Sequence, residues 1–146
     1  MSGKPILIVG SIGLDTIETV SDRRDSLLGG SATYATVSAG KSADVHLVGI
    51  IGTDFPEEGK KIFEKYSQDL SNLDQKDGQT FSWGGRYPED WDDRQTLFTK
   101  LGVFANYEPK LTEKNKNTPI LFLANIHPEL QLSVLQQNSK RECVII

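Results

Sequence analysis

A paired glycine, Gly29 and Gly30, opens a run of small residues (Ser31, Ala32, Thr33, Tyr34, Ala35) that reads as the start of a helix. Glycine turns the backbone through positive φ and leaves no Cβ between the main chain and a ligand. Ser31 is the expected helix-starting residue, and the free N–H groups of the first turn point at whatever lies above the glycines. An isolated Gly-Gly would be read as a tight turn. Here a carboxylate, Asp15, follows the apolar run Ile6, Leu7, Ile8, Val9 that Gly10 ends, and a second apolar run follows the helix. In open α/β sheets ligands bind beyond the carboxyl ends of the strands, which is where this order of residues puts Asp15. As a bland alternative, Asp15 could serve only as a turn or capping residue.

The elements that must position these groups follow from patterning. Ile6–Val9, Val45–Ile51 and Ile120–Leu123 are short apolar runs rich in β-branched residues, as expected of strands buried on both faces of a parallel sheet. Gly10 and Gly13 lack the third glycine of a dinucleotide fingerprint, and the extended segment Thr16–Val20 follows where a helix would be needed. Residues 21–26 are polar and read as a loop, and the helix after Gly30 is expected to end near Gly40. Asp54, Pro56 and Glu57 resemble a helix start with Asp54 as cap, and Ile62, Phe63 and Tyr66 supply the buried stripe. Between 68 and 109 the pattern alternates in 80–83 and 96–101 around a polar loop, 88–93, which predicts a half-exposed hairpin outside the main core. Trp83, Arg86 and Tyr87 near its tip could cover a ligand, although the aromatic pair could equally hold the hairpin together. Arg86 could also pair with the acidic loop. Pro128 opens a further helix, and Asn125 falls on the same sheet edge as Asp15.

Composition excludes several function classes. A net charge of −4 on 146 residues, with a pI near 5.2, gives no basic surface for nucleic acid. No apolar run approaches the ~20 residues of a membrane helix, and the first residues lack the apolar stretch of a signal peptide. A cytoplasmic protein is the simplest expectation. Cys143 has no disulfide partner and reads as a buried strand residue. His46 and His127 stand in unrelated contexts, so no protein-held metal is expected, and His127 before Pro128 reads as a loop or capping residue.

Taken together, the order of these features resembles the ribokinase-like (PfkB) sugar and nucleoside kinases. The shared points are Gly10, Ser11 and Asp15, the Gly29–Gly30 helix start, and Val48, Gly49, Gly52, Thr53, Asp54 and Gly59. Residues 81–104, with Trp83, Gly84, Arg86, Tyr87 and Arg94, are similar to the lid of a subgroup of such kinases. The resemblance spans the whole chain and implies the N-terminal, acceptor-binding half of an α/β fold: a mostly parallel, Rossmann-type sheet flanked by helices, with lid segments at about 14–28 and 69–107. The chain halts on the apolar run 143–146, which fits a half rather than a whole.

What the resemblance implies for chemistry is transfer of the ATP γ-phosphoryl group to a substrate hydroxyl, with ATP and Mg2+ serving the full-length enzyme. Asp15 would accept hydrogen bonds from substrate hydroxyls, and Gly29 and Gly30 would let the substrate ring lie on the backbone. Tyr34, Arg86 and Asn125 complete the implied substrate-binding set. No residue of this chain is implied as the catalytic base, so the chain alone is expected to transfer no phosphate and to bind no cofactor tightly. Tyr34 stands where the family commonly has asparagine, and the acceptor stays open between a sugar and a nucleoside. Two further readings stay open: a small-molecule binding protein without catalysis, and a module whose lid joins two copies in a homodimer.

Overall fold

The computed structural model describes residues 3–89 and 93–146. In chain order the elements are β1 (Ile6–Val9), β2 (Gly13–Glu18), β3 (Arg23–Gly29), α1 (Ser31–Ala39), β4 (Val45–Gly52), α2 (Glu57–Tyr66), β5 (Asp69–Lys76), β6 (Ser82–Arg86) and β7 (Gln95–Lys100). A 3-10 turn (Gly102–Asn106), α3 (Glu113–Lys116), β8 (Ile120–Leu123), α4 (Pro128–Gln137) and β9 (Cys143–Ile145) follow. Of the polar loop expected at 88–93, Asp90, Trp91 and Asp92 lie outside the described residues.

The apolar runs become the inner strands of a five-stranded parallel sheet in the order β5-β4-β1-β8-β9. β4 is buried along its whole length, because such a strand carries apolar side chains to both faces. On one face Ile8, Leu47 and Ile51 pack with Ala32 of α1 and Phe63 of α2. Phe63 is stacked on Phe55 at 5.7 Å between centroids. On the other face Leu7, Val9, Val48, Leu121 and Leu123 pack with Leu111 and with Val134 of α4. This double-sided core fixes the carboxyl ends of β1, β4 and β8 as one rigid rim. Among the described residues no helix is long and apolar enough to cross a membrane.

A second, four-stranded sheet in the order β3-β2-β6-β7 stands outside that core. The expected hairpin is present as β6 and β7, antiparallel, and it is joined by β2 running parallel to β6. Residues 23–26, read as loop, are instead part of β3. Their charges do not prevent a strand because this edge is wet and its charges pair: Arg23 bonds Glu18 of β2 at 3.3 Å across the strands and Asp25 of its own strand at 3.1 Å. Residues 69–76, counted with the lid, form β5 in the main sheet, where Leu70 and Leu73 pack against the core and Asn72 is buried by its polar partners. Asp54 does not cap α2, whose cap position is Pro56; its Oδ1 accepts from Thr80 N and Thr80 Oγ1, both at 2.7 Å. Cys143 is exposed, since β9 is the outermost strand and all three of its residues face out.

At the amino end of the sheet, far from the rim, sits a buried polar network. His46 Nδ1 meets Asn115 Oδ1 at 2.7 Å, and Asn115 Nδ2 donates to Asn72 Oδ1 at 2.9 Å and to Asp69 Oδ1 at 3.3 Å. Lys114 Nζ lies 2.6 Å from Asp69 Oδ2. Burial would raise the Asp69 pKa, but the bonds from Lys114, Ser71 and Asn115 override it and hold the carboxyl well below the ordinary range. A carboxylate depressed in this way stabilises the fold above its unfolded pKa of about 4, and that stability is lost as pH falls further. Asp69→Asn is therefore expected to be less stable than the parent at pH 7 and to lose less on acidification below pH ~4. Urea unfolding at a series of pH values measures both effects.

Candidate functional site

The rim is assembled where β1 hands over to β2, β3 to α1, and β8 to α4. Gly30 caps α1 with φ 95° and ψ 146°, a conformation open essentially to glycine alone. The tight approach is visible at its position: a Cβ there would lie 2.3 Å from Ser11 O. Ser31 is thus the first helical residue and not the cap. Its backbone N donates to Ser11 Oγ at 3.1 Å, and its hydroxyl donates to Asn125 O at 3.0 Å. Ala32 N donates to Ser11 O at 2.9 Å. Three strand ends are therefore tied together through Ser11 and Ser31.

Asp15 lies on β2 directly opposite Leu27 of β3 and Trp83 of β6, so all three share one face of the second sheet. Its carboxylate rests against the Gly29 backbone: a Cβ on Gly29 would stand 2.0 Å from Asp15 Oδ2 and 2.5 Å from its Cγ. The Gly29 carbonyl is held in turn by Thr33 Oγ1 at 2.7 Å. Partial burial raises the Asp15 pKa above the ordinary carboxylate value, opposed by a hydrogen bond from the Trp83 backbone N–H.

Of the six residues singled out from the sequence, Asp15, Gly29, Gly30 and Asn125 meet at this rim. Tyr34 stands one turn into α1, 68% exposed, its hydroxyl 3.5 Å from Leu28 O. Arg86 is elsewhere. It lies three residues past Trp83 on β6, roughly 10 Å along the strand, and its Nε bonds Glu18 Oε1 at 2.7 Å. The partner is thus a β2 residue, which cross-strand register selects. Trp83 is occupied by the hairpin: its indole lies where a Cβ on Gly85 would be, 2.1 Å from Cη2, and the Arg94 guanidinium sits 5.1 Å from the ring. His127 caps α4, accepting from Glu129 N at 3.4 Å, as its place before Pro128 suggested. Ser11 was missed as a member of the rim, and its place immediately beyond Gly10 was the available signal.

Chemically the rim offers one carboxylate acceptor, two serine hydroxyls and a bare glycine backbone. Such a set can take up neutral hydroxyls. No group of three His, Cys, Asp or Glu suited to a metal exists among the described residues. A ligand hydrogen-bonded to the Asp15 carboxylate is expected to weaken on acidification, with a midpoint above the usual carboxylate value because the group is ionised only above its raised pKa. Calorimetric affinities between pH 4 and 8 would show this as a decline already under way above pH ~4.

A five-stranded parallel sheet flanked by helices, with a second sheet standing over its carboxyl edge, is the ribokinase fold. The resemblance read from the sequence is shown by the relatives this chain matches. It is 29% identical over 134 residues to a cytidine kinase of Thermococcus kodakarensis, covering 90% of this chain and 47% of that protein. It superposes on the nucleoside kinase of Methanocaldococcus jannaschii, an archaeal member of the ribokinase family, with a TM-score of 0.77 at 20% identity, over 98% of this chain and 52% of that one. The ribokinase of Arabidopsis thaliana, solved with ribose and ATP, gives 0.74 at 18% identity over 99% and 53%. The chain therefore spans about half the length of the relatives it matches. No protein-family profile matches it.

Proposed function

We propose that this chain is the acceptor-binding half of a kinase that uses ATP to phosphorylate a hydroxyl of a sugar or nucleoside. The observation that carries the reading is the Asp15 carboxylate lying on the Gly29 backbone at the carboxyl rim of a parallel sheet. Asp15 accepts two neighbouring hydroxyls of the acceptor, Gly29 and Gly30 let its ring approach the main chain, and the second sheet excludes water above it. The structural relatives support the class of acceptor, for one was solved with ribose and another is a nucleoside kinase.

The phosphoryl donor is assigned to the remainder of such an enzyme, since this chain spans about half the length of the relatives it matches. ATP, with Mg2+, would supply the transferred group in the complete enzyme. No step of that transfer is derived from the residues here.

A thermal-shift screen tests the proposal. Sugars or nucleosides are expected to raise the melting temperature of the chain, while ATP alone does not, and ATP consumption stays at background with or without acceptor. Stabilisation by ATP alone, or ATP consumption stimulated by a sugar or nucleoside, would contradict it.

A further inference from the structure

Asp54 stands just past the carboxyl end of β4, the strand buried along its whole length, and it does not cap the helix that follows. It reaches across to residues 78–81, the stretch that leads from the main sheet into β6. Each of those four residues is held from a neighbouring segment. Gly78 O accepts from Thr53 N at 3.0 Å, Gln79 O from Val103 N at 2.8 Å, and Phe81 O from Leu14 N at 2.9 Å. Thr80 is held by a side chain: its N and its Oγ1 both donate to Asp54 Oδ1 at 2.7 Å, and its Oγ1 accepts from Gly52 N at 2.9 Å.

Thr80 is buried, so its N–H and hydroxyl need partners, and an ionised carboxylate is a stronger acceptor than a carbonyl. Asp54 itself is exposed. Its bonds therefore tie the base of β6 to the rim from the outside, without adding to the core. Two residues further on β6 begins, with Ser82 opposite Leu14, Trp83 opposite Asp15 and Gly84 opposite Thr16. The hydrogen bond from the Trp83 backbone N–H to the Asp15 carboxylate belongs to this register. A slip of one residue would put Ser82 or Gly84 opposite Asp15 instead.

We propose that Asp54 is a positioning residue for the acceptor site: by holding Thr80 it fixes β6 against β2 and keeps the Trp83 backbone N–H on the Asp15 carboxylate. Asp54 touches no acceptor. It acts through Thr80 and Trp83 on the group that does, and its effect on binding rests on the reading of Asp15 given above.

Carbon-13 NMR of the aspartate carboxyls in the free chain reads the effect on Asp15, and calorimetry with ribose and with cytidine reads the effect on binding. In Asp54→Ala the Asp15 resonance is expected to move and its titration midpoint to rise, because a donor to the charged form is withdrawn. Affinity is expected to fall about tenfold, the equivalent of one hydrogen bond. Asp54→Asn keeps an oxygen that accepts from both Thr80 donors and is expected to restore both readouts. Thr80→Val removes the hydroxyl at nearly constant shape; it is expected to move the Asp15 resonance in the same direction, and it decides the matter should Asp54→Ala not fold. A parental Asp15 resonance and midpoint in folded Asp54→Ala or in Thr80→Val, or an equal displacement in Asp54→Asn, overturns the assignment. A displaced resonance with parental affinity upholds the hold on Thr80 and contradicts the reading of Asp15 as the acceptor's partner.

Discussion

Asp15→Ala is expected to lower acceptor affinity by roughly 100-fold or more and to leave the fold intact. Hydrogen bonds to a charged group contribute about 1.5–3 kcal/mol each, and two adjacent hydroxyls on one carboxylate together exceed the 2.7 kcal/mol that corresponds to about 100-fold. The fold is expected to survive because burial raises the Asp15 pKa, so the charged form gains no stability from folding. A carboxyl whose folded pKa is raised is destabilising in its ionised form: the native state gains relative stability as pH falls through that pKa, so at pH 7 removing the charge relieves a cost. Calorimetry and thermal melting on the same preparation separate the two effects. A melting temperature close to that of the parent, since relief of the buried charge offsets the bond lost from the Trp83 backbone N–H, with no detectable acceptor binding is the expected pair of results. Parental affinity would remove Asp15 from the site.

Substitutions at the two adjacent glycines are expected to fail in different ways. At Gly29 the new Cβ meets the end of the Asp15 side chain, 2.0 Å from Oδ2, and a carboxylate can rotate away at little cost. Gly29→Ala should therefore fold nearly as well as the parent and bind acceptor far more weakly, because the carboxylate is pushed off its position. At Gly30 the new Cβ meets backbone, 2.3 Å from Ser11 O, and the φ of 95° is itself unfavourable for any side chain. Strain at such a φ and ψ costs on the order of 1–3 kcal/mol before the clash is counted, so Gly30→Ala should lower stability markedly. Denaturant titration of both variants, set beside their acceptor affinities, shows whether the pair divides in this way. Equal stability losses at the two positions would contradict the geometry described for them.

The inner strands and the double-glycine helix start were legible because both rest on local rules. A buried parallel strand must be apolar on both faces, and a backbone with no room for Cβ must be glycine. β3 and β5 were not legible in the same way. As edge strands they carry many polar side chains, Arg23, Arg24 and Asp25 in one and Asp69, Asn72 and Asp74 in the other, and no periodicity marks them; Asn72 is buried only because Asn115 and the Lys110 carbonyl satisfy its amide. Asp54 misled for a related reason. Its spacing from Glu57 imitates a helix cap, but a tertiary partner, Thr80, takes the carboxylate instead. Cross-strand register decides the same kind of contest for Arg86, where Glu18 is the neighbour and the acidic loop is only close in sequence. Asn125 reached the rim as expected, and the bond that holds its carbonyl there comes from Ser31, a residue 94 positions away. Convergence of this kind is settled by the sheet order, which no local pattern contains.

The central claim is that the Asp15 carboxylate itself receives the acceptor's hydroxyls. Carbon-13 NMR of the chain labelled at its aspartate carboxyls observes that group directly, with Asp15→Asn identifying its resonance. On saturation with a nucleoside or ribose, the Asp15 resonance should shift and its titration midpoint should fall, since hydroxyl donors favour the charged form. An Asp15 resonance that keeps its position and its midpoint with acceptor in large excess would contradict the account.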